Sequence, residues 1–384
     1  MDLPLGYHRK GEPASLAVKL VCKLHKSIYG LKQASRQWYS KFSQVLLQFG
    51  FTQSKADYSL FTKGSGSTFV ALLVYVDDII LTGPSLTVLD FLKKFLHSQF
   101  KLKDLGSLKY FLGLEIARSS HGIVLSQRQY TLQLLEDTGF LACNPAPVPM
   151  NPRVQLSATS GDVLSDVSQY CRLIGRLLYL NLSRPDITFA VHKLSQFLAQ
   201  PRSSHLQAAH YRLCYLKSSP GQGLFFSSSS ALQLRAFFDA DWGSCPDSRR
   251  SVIGYCVFLG DSLVSWKAKR QTTVSRSSAE AEYRAMAATT SELVWLQQLL
   301  RDFGVASSSH VLLFCDNQAA MHIASNPPFM NEPNTSKLIV ISFVIRLLMV
   351  FLSSCQFDLI FSLLIFLPSL YRLFLYNLIT PRWL

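Results

Sequence analysis

Two apolar runs separated by a pair of acids form the clearest local pattern in the chain. FVALLVYV precedes Asp77 and Asp78, and IIL follows them. Both runs are rich in β-branched residues, which predicts two buried strands joined as a hairpin with the acids at its tip. Two like charges at the end of buried strands are costly unless a cation binds them, and Mg²⁺ prefers carboxylate oxygens. The pattern therefore indicates a divalent-metal site, with a solvated acidic turn as the alternative.

A second patterned region begins at Leu232. LQLRAFFDADWG, SVIGYCVFLG and SLVSWKAK each predict a strand, and a capping box at residues 277–280 opens a long helix with an apolar stripe. VLLFCDN then predicts a buried strand that ends in Asp316, and a further helix follows. Strands that alternate with helices indicate an α/β sheet, in which acids at two strand ends and one on the helix could converge on one metal site.

Residues 127–230, between these regions, show the apolar spacing of helices. The proline-rich stretch NPAPVPMNP predicts a linker between two helical segments. The four serines at 227–230 predict a polar tether to the next region. No chemistry is assigned here, because the histidines of this region have no carboxylate near them in the sequence.

Composition narrows the choice of partner and compartment. The 384 residues include 38 Lys and Arg against 24 Asp and Glu, a formal net charge of +14, which favours an anionic partner such as nucleic acid. A membrane surface is the alternative, because the C-terminal segment is strongly apolar. The eight cysteines contain no C-x-x-C pair, and the N-terminus has no apolar signal core. These features favour a reducing intracellular compartment.

Basic and aromatic residues alternate through VCKLHKSIYGLKQASRQWYSKF, at residues 21–42. Such side chains suit phosphates and bases, although an amphipathic helix with a solvated basic face has the same composition. Four strings decide between these interpretations. SIYGLKQASRQWY, FTQSKADYSLF, YVDDIILTG and LKYFLGLEI, in this order, resemble the reverse transcriptase of copia-type LTR retrotransposons.

The resemblance implies a polymerase palm in which Asp77 and Asp78 are catalytic and hold Mg²⁺, with Mn²⁺ as an alternative. It also implies that Gln33 lies near the incoming nucleotide. Three further residues are implied to contact phosphates or the primer: Lys32, Arg36 and Gly113. For Gly113 a plain β-bulge is the alternative.

The C-terminal region resembles the ribonuclease H domain of the same elements, through DADWGSCPDSRRSVIGYCVFLG, SWKAKRQTTVSRSSAEAEYRA and CDNQAAMHIA. The resemblance implies that Asp239, Glu282 and Asp316 are catalytic and bind metal, with Asp241 in a supporting role and Glu280 as a helix cap. Further side chains are implied to grip an RNA–DNA hybrid, although a plain surface role is the alternative for each basic one: Trp242, Arg249, Arg250, Trp266, Lys267, Lys269, Arg270 and Arg276.

Two departures from the family pattern lead us to expect impaired activity. The palm of the family needs a third aspartate upstream of LKQAS, and MDLPLGYHRKGEP predicts no strand to carry it, so we expect the fingers and this acid to be missing. A frameshift is expected near Phe329. One possible coding string gives the expected continuation, HERTKHIEIDCHFVRD, when it is read from its first base. Read from its second base, the same string gives MNEPNTSKLIVISFV, which this chain contains. A fourth ribonuclease H acid would then be lost.

The apolar tail has a second interpretation as a membrane anchor. Its runs at 338–345, 347–357 and 359–371 are interrupted by Arg346 and Asp358. Each run is shorter than the ~20 residues that cross a bilayer, so out-of-frame translation is the favoured explanation.

The sequence therefore predicts an α+β fold in four parts. We expect a partial palm at 1–126, a thumb and connection at 127–230, an incomplete α/β ribonuclease H-like domain at 231–330, and a frameshifted apolar tail at 331–384. The expected partners are an RNA template, a DNA primer, an RNA–DNA hybrid and dNTPs. Self-association is left open, and a membrane is disfavoured. The cytoplasm, a virus-like particle or the nucleus is the expected location. A nucleic-acid-binding remnant without catalysis is the second functional hypothesis.

Overall fold

The computed structural model describes residues 33–76, 78–151, 154–305 and 311–325, together with Val21, Lys23, Ile28 and Leu31. Lys32, Asp77 and the expected frameshifted tail lie outside the described residues. The helices are α1 Ala34–Gln48, α2 Leu86–Gln99, α3 Arg128–Asp137, α4 Val167–Leu180, α5 Thr188–Leu194, α6 Ser203–Ser218, α7 Ser278–Asp302 and α8 Gln318–Ser325. The strands are β1 Thr52–Gln53, β2 Leu60–Lys63, β3 Val70–Tyr75, β4 Asp78–Thr82, β5 Tyr110–Phe111, β6 Leu114–Ser119, β7 Gly122–Ser126, β8 Leu224–Ser227, β9 Leu234–Asp241, β10 Val252–Leu259, β11 Ser262–Arg270 and β12 Leu312–Phe314.

The first sheet is an antiparallel meander in the order β1-β2-β3-β4. The predicted hairpin is confirmed, since β3 pairs with β4 and Tyr75 lies opposite Asp78. Five of the six β3 residues are buried because side chains pack on both faces of this strand. Helices α1 and α2 cover one face, where Phe42, Leu72 and Leu92 share a core.

The second sheet, in the order β5-β6-β7-β8, is completed across a long insertion. β8 pairs with β7, although α3 to α6 lie between them in the chain. The predicted tether at 227–230 is therefore wrong. Ser227 pairs with Gly122 in the sheet, and the buried hydroxyl of Ser230 accepts a hydrogen bond from the Asp261 N–H at 2.6 Å. These serines satisfy backbone groups between strands, which sequence composition does not distinguish from a solvated linker.

The third sheet has the order β11-β10-β9-β12, with β12 parallel to β9. The predicted succession of three strands, a helix, a strand and a helix is confirmed by β9, β10, β11, α7, β12 and α8. The prediction that the VLLFCDN strand is buried is wrong, because Leu312 and Phe314 are 38% and 45% exposed. β12 is at the edge of the sheet that the described residues form, so one side of it has no neighbouring strand.

One apolar core joins the three sheets. Leu73 of β3, Leu125 of β7 and Val257 of β10 all lie in it without exposed surface. Helix α7 also reaches the first sheet, because Ser54 donates a hydrogen bond to Asp302 at 2.5 Å and the indole N–H of Trp295 donates to the Ala56 carbonyl at 3.0 Å. The mixed α/β chain is therefore packed across the boundaries that the sequence predicts.

Helices α3 to α6, which we call the helical unit, enclose a core of their own that includes Leu134, Tyr170 and Ile174. Arg212 of α6 is buried as well, at 2% exposure. Its Nη1 donates to the Ala208 carbonyl, and its Nε has no hydrogen-bond partner within the described part of the chain. Burial lowers the pKa of Arg212 to about 10, which leaves a charged guanidinium inside the helical unit at neutral pH.

No helix among the described residues is long and apolar enough to span a membrane. The apolar runs of the tail, to which the membrane interpretation applies, lie outside those residues.

The buried guanidinium generates a stability prediction. We expect Arg212→Leu to raise the free energy of unfolding by about 1–3 kcal/mol, because it replaces an incompletely bonded buried charge with an apolar side chain. Urea denaturation followed by circular dichroism measures this change. The matched control is Arg172→Leu at an exposed position of α4, where a change within about 0.5 kcal/mol is expected. A loss of stability in Arg212→Leu beyond that of the control would contradict this interpretation.

Candidate metal centre

Three carboxylates meet at the edge of the third sheet where β9 and β12 have their C-terminal ends. One oxygen from each of Asp239, Glu282 and Asp316 lies within 4.8 Å of the others, and we call this group the carboxylate centre. The parallel register of β9 and β12 accounts for two of its members. Phe314 pairs with Phe237, so that Asp316 and Asp239, each two residues further along, lie at the same level. Glu282 comes from α7, which packs against β9.

A single backbone N–H orders two of these carboxylates. The Ala240 N–H donates to Asp239 Oδ1 at 2.8 Å and to Glu282 Oε1 at 3.1 Å. Glu282 is 5% exposed, and its second oxygen, Oε2, is buried without a hydrogen-bond partner among the described residues. A buried carboxylate oxygen that nothing satisfies is costly unless a proton or a cation reaches it.

Burial raises the pKa of Glu282 to about 7, and the nearby charges of Asp239 and Asp316 add to this effect, while the Ala240 N–H opposes it. The same environment raises the pKa of the Cys315 thiol, first through burial and then through the charges of Glu282 and Asp316. The centre therefore has a negative potential that a divalent cation would offset, and binding of that cation would displace the proton of Glu282.

The chemistry of this donor set fits a hard divalent ion. All three side chains offer carboxylate oxygens, which suit Mg²⁺ and Mn²⁺. The group contains no sulfur or imidazole ligand of the kind that selects zinc or copper. Asp239 and Asp316 are exposed, so an ion could reach the centre from solvent and keep some of its water.

The other acids of this region are placed as follows. Asp241 is exposed at the end of β9, two residues beyond Asp239. Glu280 acts in the helix cap: its N–H donates to Ser277 Oγ at 3.1 Å, and its carboxylate accepts the Arg276 N–H at 2.8 Å and pairs with Arg284 at 2.8 Å. The Ser277 half of the predicted capping box is present, whereas the Glu280 carboxylate accepts the N–H of Arg276, one residue before the cap, instead of that of Ser277. Glu280 is not a member of the carboxylate centre.

Among the basic and aromatic residues, Lys267 and Lys269 are exposed on β11 and Arg270 is half-buried at its end. The expected contact of Trp266 with a hybrid is wrong. This side chain is 6% exposed and its indole N–H donates to Thr188 Oγ1 at 3.1 Å, because β11 packs on α5.

The predicted polymerase residues that the structure describes lie at exposed positions. Asp78 is exposed at the start of β4, Gln33 is exposed before α1, and Arg36 is exposed in the first turn of α1. Asp77 and Lys32 fall outside the described residues. Within the part of the chain that the structure describes, no group of three metal-ligating side chains forms around Asp78.

Gly113 lies in the predicted β5–β6 hairpin, at a φ of 72°. A Cβ at this position would collide with the hydroxyl of Tyr179 in α4, and that hydroxyl donates to the Leu112 carbonyl. The missing side chain is explained by this contact between the hairpin and the helical unit. Sequence reasoning missed Tyr179, because nothing separates it from the other apolar residues of α4, and it missed the Ala240 amide, although the strand pattern of DAD places an N–H between the acids.

Comparison with known proteins gives the family. Residues 1–152 match the family model described as Reverse transcriptase (RNA-dependent DNA polymerase). Over 329 residues the chain is 43% identical to the Retrovirus-related Pol polyprotein from transposon RE1 of Arabidopsis thaliana, a match that covers 86% of this chain and 22% of the polyprotein. It is also 32% identical over 276 residues to a transposon Ty5-1 protein of Saccharomyces cerevisiae, covering 71% of this chain and 90% of that protein.

A solved structure of the foamy viral protease-reverse transcriptase in complex with RNA/DNA hybrid matches 72% of this chain and 34% of its own, with 13% identity and a TM-score of 0.38. That likeness is too loose to indicate a shared fold. The chain spans about a fifth (22%) of the length of the RE1 polyprotein. Since the Ty5-1 protein is matched over most of its length, the chain belongs to the copia-type retrotransposon Pol polyprotein family, in the part that includes the reverse transcriptase.

Proposed function

We propose that the carboxylate centre hydrolyses the RNA strand of an RNA–DNA hybrid, as a ribonuclease H that uses two divalent cations. The observation that carries this proposal is the convergence of Asp239, Glu282 and Asp316, with the buried Oε2 of Glu282 left unsatisfied. Mg²⁺ is the proposed ion, with Mn²⁺ as an alternative. When bound, the ions would activate a water molecule and stabilise the departing 3′ oxygen.

The residues of the chain do the remaining work. The Ala240 N–H keeps the carboxylates of Asp239 and Glu282 turned toward each other, so that little reorganisation is needed when ions bind. Glu282 must lose its proton to become a ligand, which makes occupancy dependent on pH near neutrality. The exposed Asp239 and Asp316 leave the centre open on the side from which a scissile phosphate would approach.

RNA-templated DNA synthesis at Asp77 and Asp78 is the second activity that family membership suggests. Its proposed partners are an RNA template, a DNA primer and dNTPs. Asp78 is exposed at the start of β4, and the residues before LKQAS predict no strand that would carry the third acid that a palm of this family uses. We propose that polymerase activity of this chain alone is weak.

A non-catalytic nucleic-acid-binding remnant is the competing proposal. The formal net charge of +14 favours it as strongly as it favours an enzyme, since charge supports affinity for phosphates without chemistry. Cleavage, measured together with binding, separates the two proposals.

The pKa of Glu282 predicts how Mg²⁺ stabilises the protein. In the unfolded chain a glutamate titrates near 4.3, so the raised folded value means that the metal-free protein loses stability as the pH rises through about 7. Mg²⁺ competes with this proton, and its affinity should fall about tenfold per pH unit below 7. At about pH 8, Mg²⁺ at roughly ten times its Kd should add ~1.4 kcal/mol to the free energy of unfolding, and far less at about pH 5.5.

Urea denaturation with and without Mg²⁺ measures this effect. Glu282→Gln should be insensitive to Mg²⁺ at both pH values, whereas the matched control Glu280→Gln should respond as the unmodified chain does, because Glu280 caps α7 away from the centre. An equal response to Mg²⁺ in Glu282→Gln would contradict the assignment of Glu282 as a ligand.

Cleavage of a labelled RNA strand within an RNA–DNA hybrid tests the proposed activity. We expect Mg²⁺-dependent products from the unmodified chain and a loss of more than about 100-fold in Asp239→Asn, because a ligand charge is removed. Asp261→Asn is the matched control, since its carboxylate is 81% exposed and, among the described residues, pairs with Arg235 alone, at the far end of the β9–β10 pairing. Tight binding without cleavage in all three proteins would support the non-catalytic binder instead.

Primer extension on an RNA template tests the weaker activity. We expect little incorporation of dNTPs by this chain alone, because the residues before LKQAS predict no strand with a third acid that would join Asp77 and Asp78. Gel analysis of extended primers measures it. Robust extension that depends on Mg²⁺ and is lost in Asp78→Asn would show that the proposal of a weak polymerase is wrong.

A further inference from the structure

We propose that Gln271 is a positioning residue for the carboxylate centre, because its side-chain amide holds the peptide group from which Glu282 extends. The proposal rests on the metal centre that the proposed function uses, and it adds a residue outside the three ligands. Gln271 directly follows β11 and is 8% exposed. Its Nε2 donates to the carbonyl of Ala281, near the start of α7, at 3.0 Å.

The contact with Ala281 acts directly on Glu282. The Ala281 carbonyl and the Glu282 nitrogen belong to one planar peptide group, so that a bond to the oxygen also holds the nitrogen. Ala281 has no exposed surface, and from this buried point the Glu282 side chain reaches the Ala240 N–H at 3.1 Å. A glutamate side chain has several rotatable bonds, so its carboxylate stays in place only if its backbone does.

The amide of Gln271 is fixed in one orientation. Its Oε1 accepts a hydrogen bond from the Ser275 hydroxyl at 2.6 Å, so a donor faces the oxygen while an acceptor faces the nitrogen. Rotation of the amide by half a turn would set its oxygen against the carbonyl oxygen of Ala281. Ser275 is 3% exposed, and the Gln271 N–H donates to the Ser251 carbonyl at 2.8 Å. Both the side chain and the backbone of Gln271 are therefore held before an ion binds.

The same bonds connect the two elements that carry the closest pair of ligands. Trp242 follows β9, the strand of Asp239, and its indole N–H donates to the Ser275 carbonyl at 2.9 Å. Three hydrogen bonds thus run from the end of β9 through Ser275 and Gln271 to α7. The carboxylates of Asp239 and Glu282 stay together only while β9 and the start of α7 keep their relative position, and this chain of bonds opposes their separation.

Burial separates the Gln271 bond from another contact between the same loop and the same helix. Thr273 Oγ1 accepts a hydrogen bond from Arg284 Nη1 at 2.7 Å, but both residues are exposed. Water can replace a partner that is lost at an exposed position, whereas it cannot do so at the buried carbonyl of Ala281. Loss of the Gln271 amide should therefore shift the backbone beside Glu282, and loss of the Thr273 hydroxyl should not.

Binding of Mn²⁺ to the full chain tests the proposal, measured from the electron paramagnetic resonance signal of the free ion. Mn²⁺ that binds the unmodified chain but not Glu282→Gln is assigned to the centre. Gln271→Met keeps the length and burial of the side chain and removes its hydrogen bonds. Thr273→Val is the matched control, because it removes an exposed bond between the same loop and α7. Circular dichroism checks that each variant is folded.

We expect Gln271→Met to bind Mn²⁺ roughly tenfold more weakly than the unmodified chain, whereas Thr273→Val should stay within about twofold. In cleavage of an RNA–DNA hybrid, Gln271→Met should lower kcat by a similar factor and leave KM for the hybrid unchanged, because Gln271 is buried. Ser275→Ala leaves the amide bonded to Ala281 but without its second partner, so its Mn²⁺ affinity should fall roughly threefold.

An unchanged Mn²⁺ affinity in folded Gln271→Met, or an equal loss in Thr273→Val, would show that Gln271 is only structural and would overturn the proposal while the hydrolytic function stands. If Gln271→Met does not fold, Ser275→Ala decides, and an unchanged affinity there overturns the proposal. If the unmodified chain binds Mn²⁺ at the centre but cleaves no hybrid, the hydrolytic function falls and the affinities still decide the role of Gln271. If it binds no Mn²⁺ at the centre, both proposals fall.

Discussion

The sharing of one backbone N–H, that of Ala240, by the carboxylates of Asp239 and Glu282 is the interaction on which the proposed function depends. It draws a buried glutamate against an exposed aspartate, and the parallel register of β9 and β12 brings Asp316 to the same edge. Carboxylates in this arrangement repel one another and leave Oε2 of Glu282 unsatisfied. An arrangement that is costly when empty becomes favourable when divalent cations bind, which is the behaviour expected of a catalytic metal centre rather than a structural cluster.

Helix α7 connects this centre to the rest of the molecule. It carries Glu282 near its start and Asp302 at its end, about 30 Å apart along a helix of 25 residues. Asp302 binds Ser54 beside the first sheet and Trp295 binds the same loop, while Glu282 accepts the Ala240 N–H near the start of the helix, so the helix is fixed at both ends. The second sheet is completed only after the helical unit, through β8. Packing across these boundaries means that the parts of the chain stabilise one another and that the site is held by distant contacts.

Periodicity in the sequence predicts the local elements well, because the β3–β4 hairpin, the capped helix α7 and the succession from β9 to α8 each have a strong pattern of their own. It fails where a residue's surroundings come from distant chain segments. The serines at 227–230 have the composition of a linker but bond between sheets, and Trp266 has the chemistry of a binding residue but packs on α5. The acids of the centre could be predicted by position, whereas the N–H shared by two of them depends on tertiary packing.

The most direct test of the account is the location of bound metal. Crystals of the full chain soaked in Mn²⁺ and measured by anomalous diffraction would give peaks that do not depend on the interpretation of the protein density. The account predicts two peaks about 4 Å apart, bounded by Asp239, Glu282 and Asp316, with Oε2 of Glu282 as a ligand. Manganese absent from this edge of the sheet, with the three carboxylates turned apart into solvent, would contradict it.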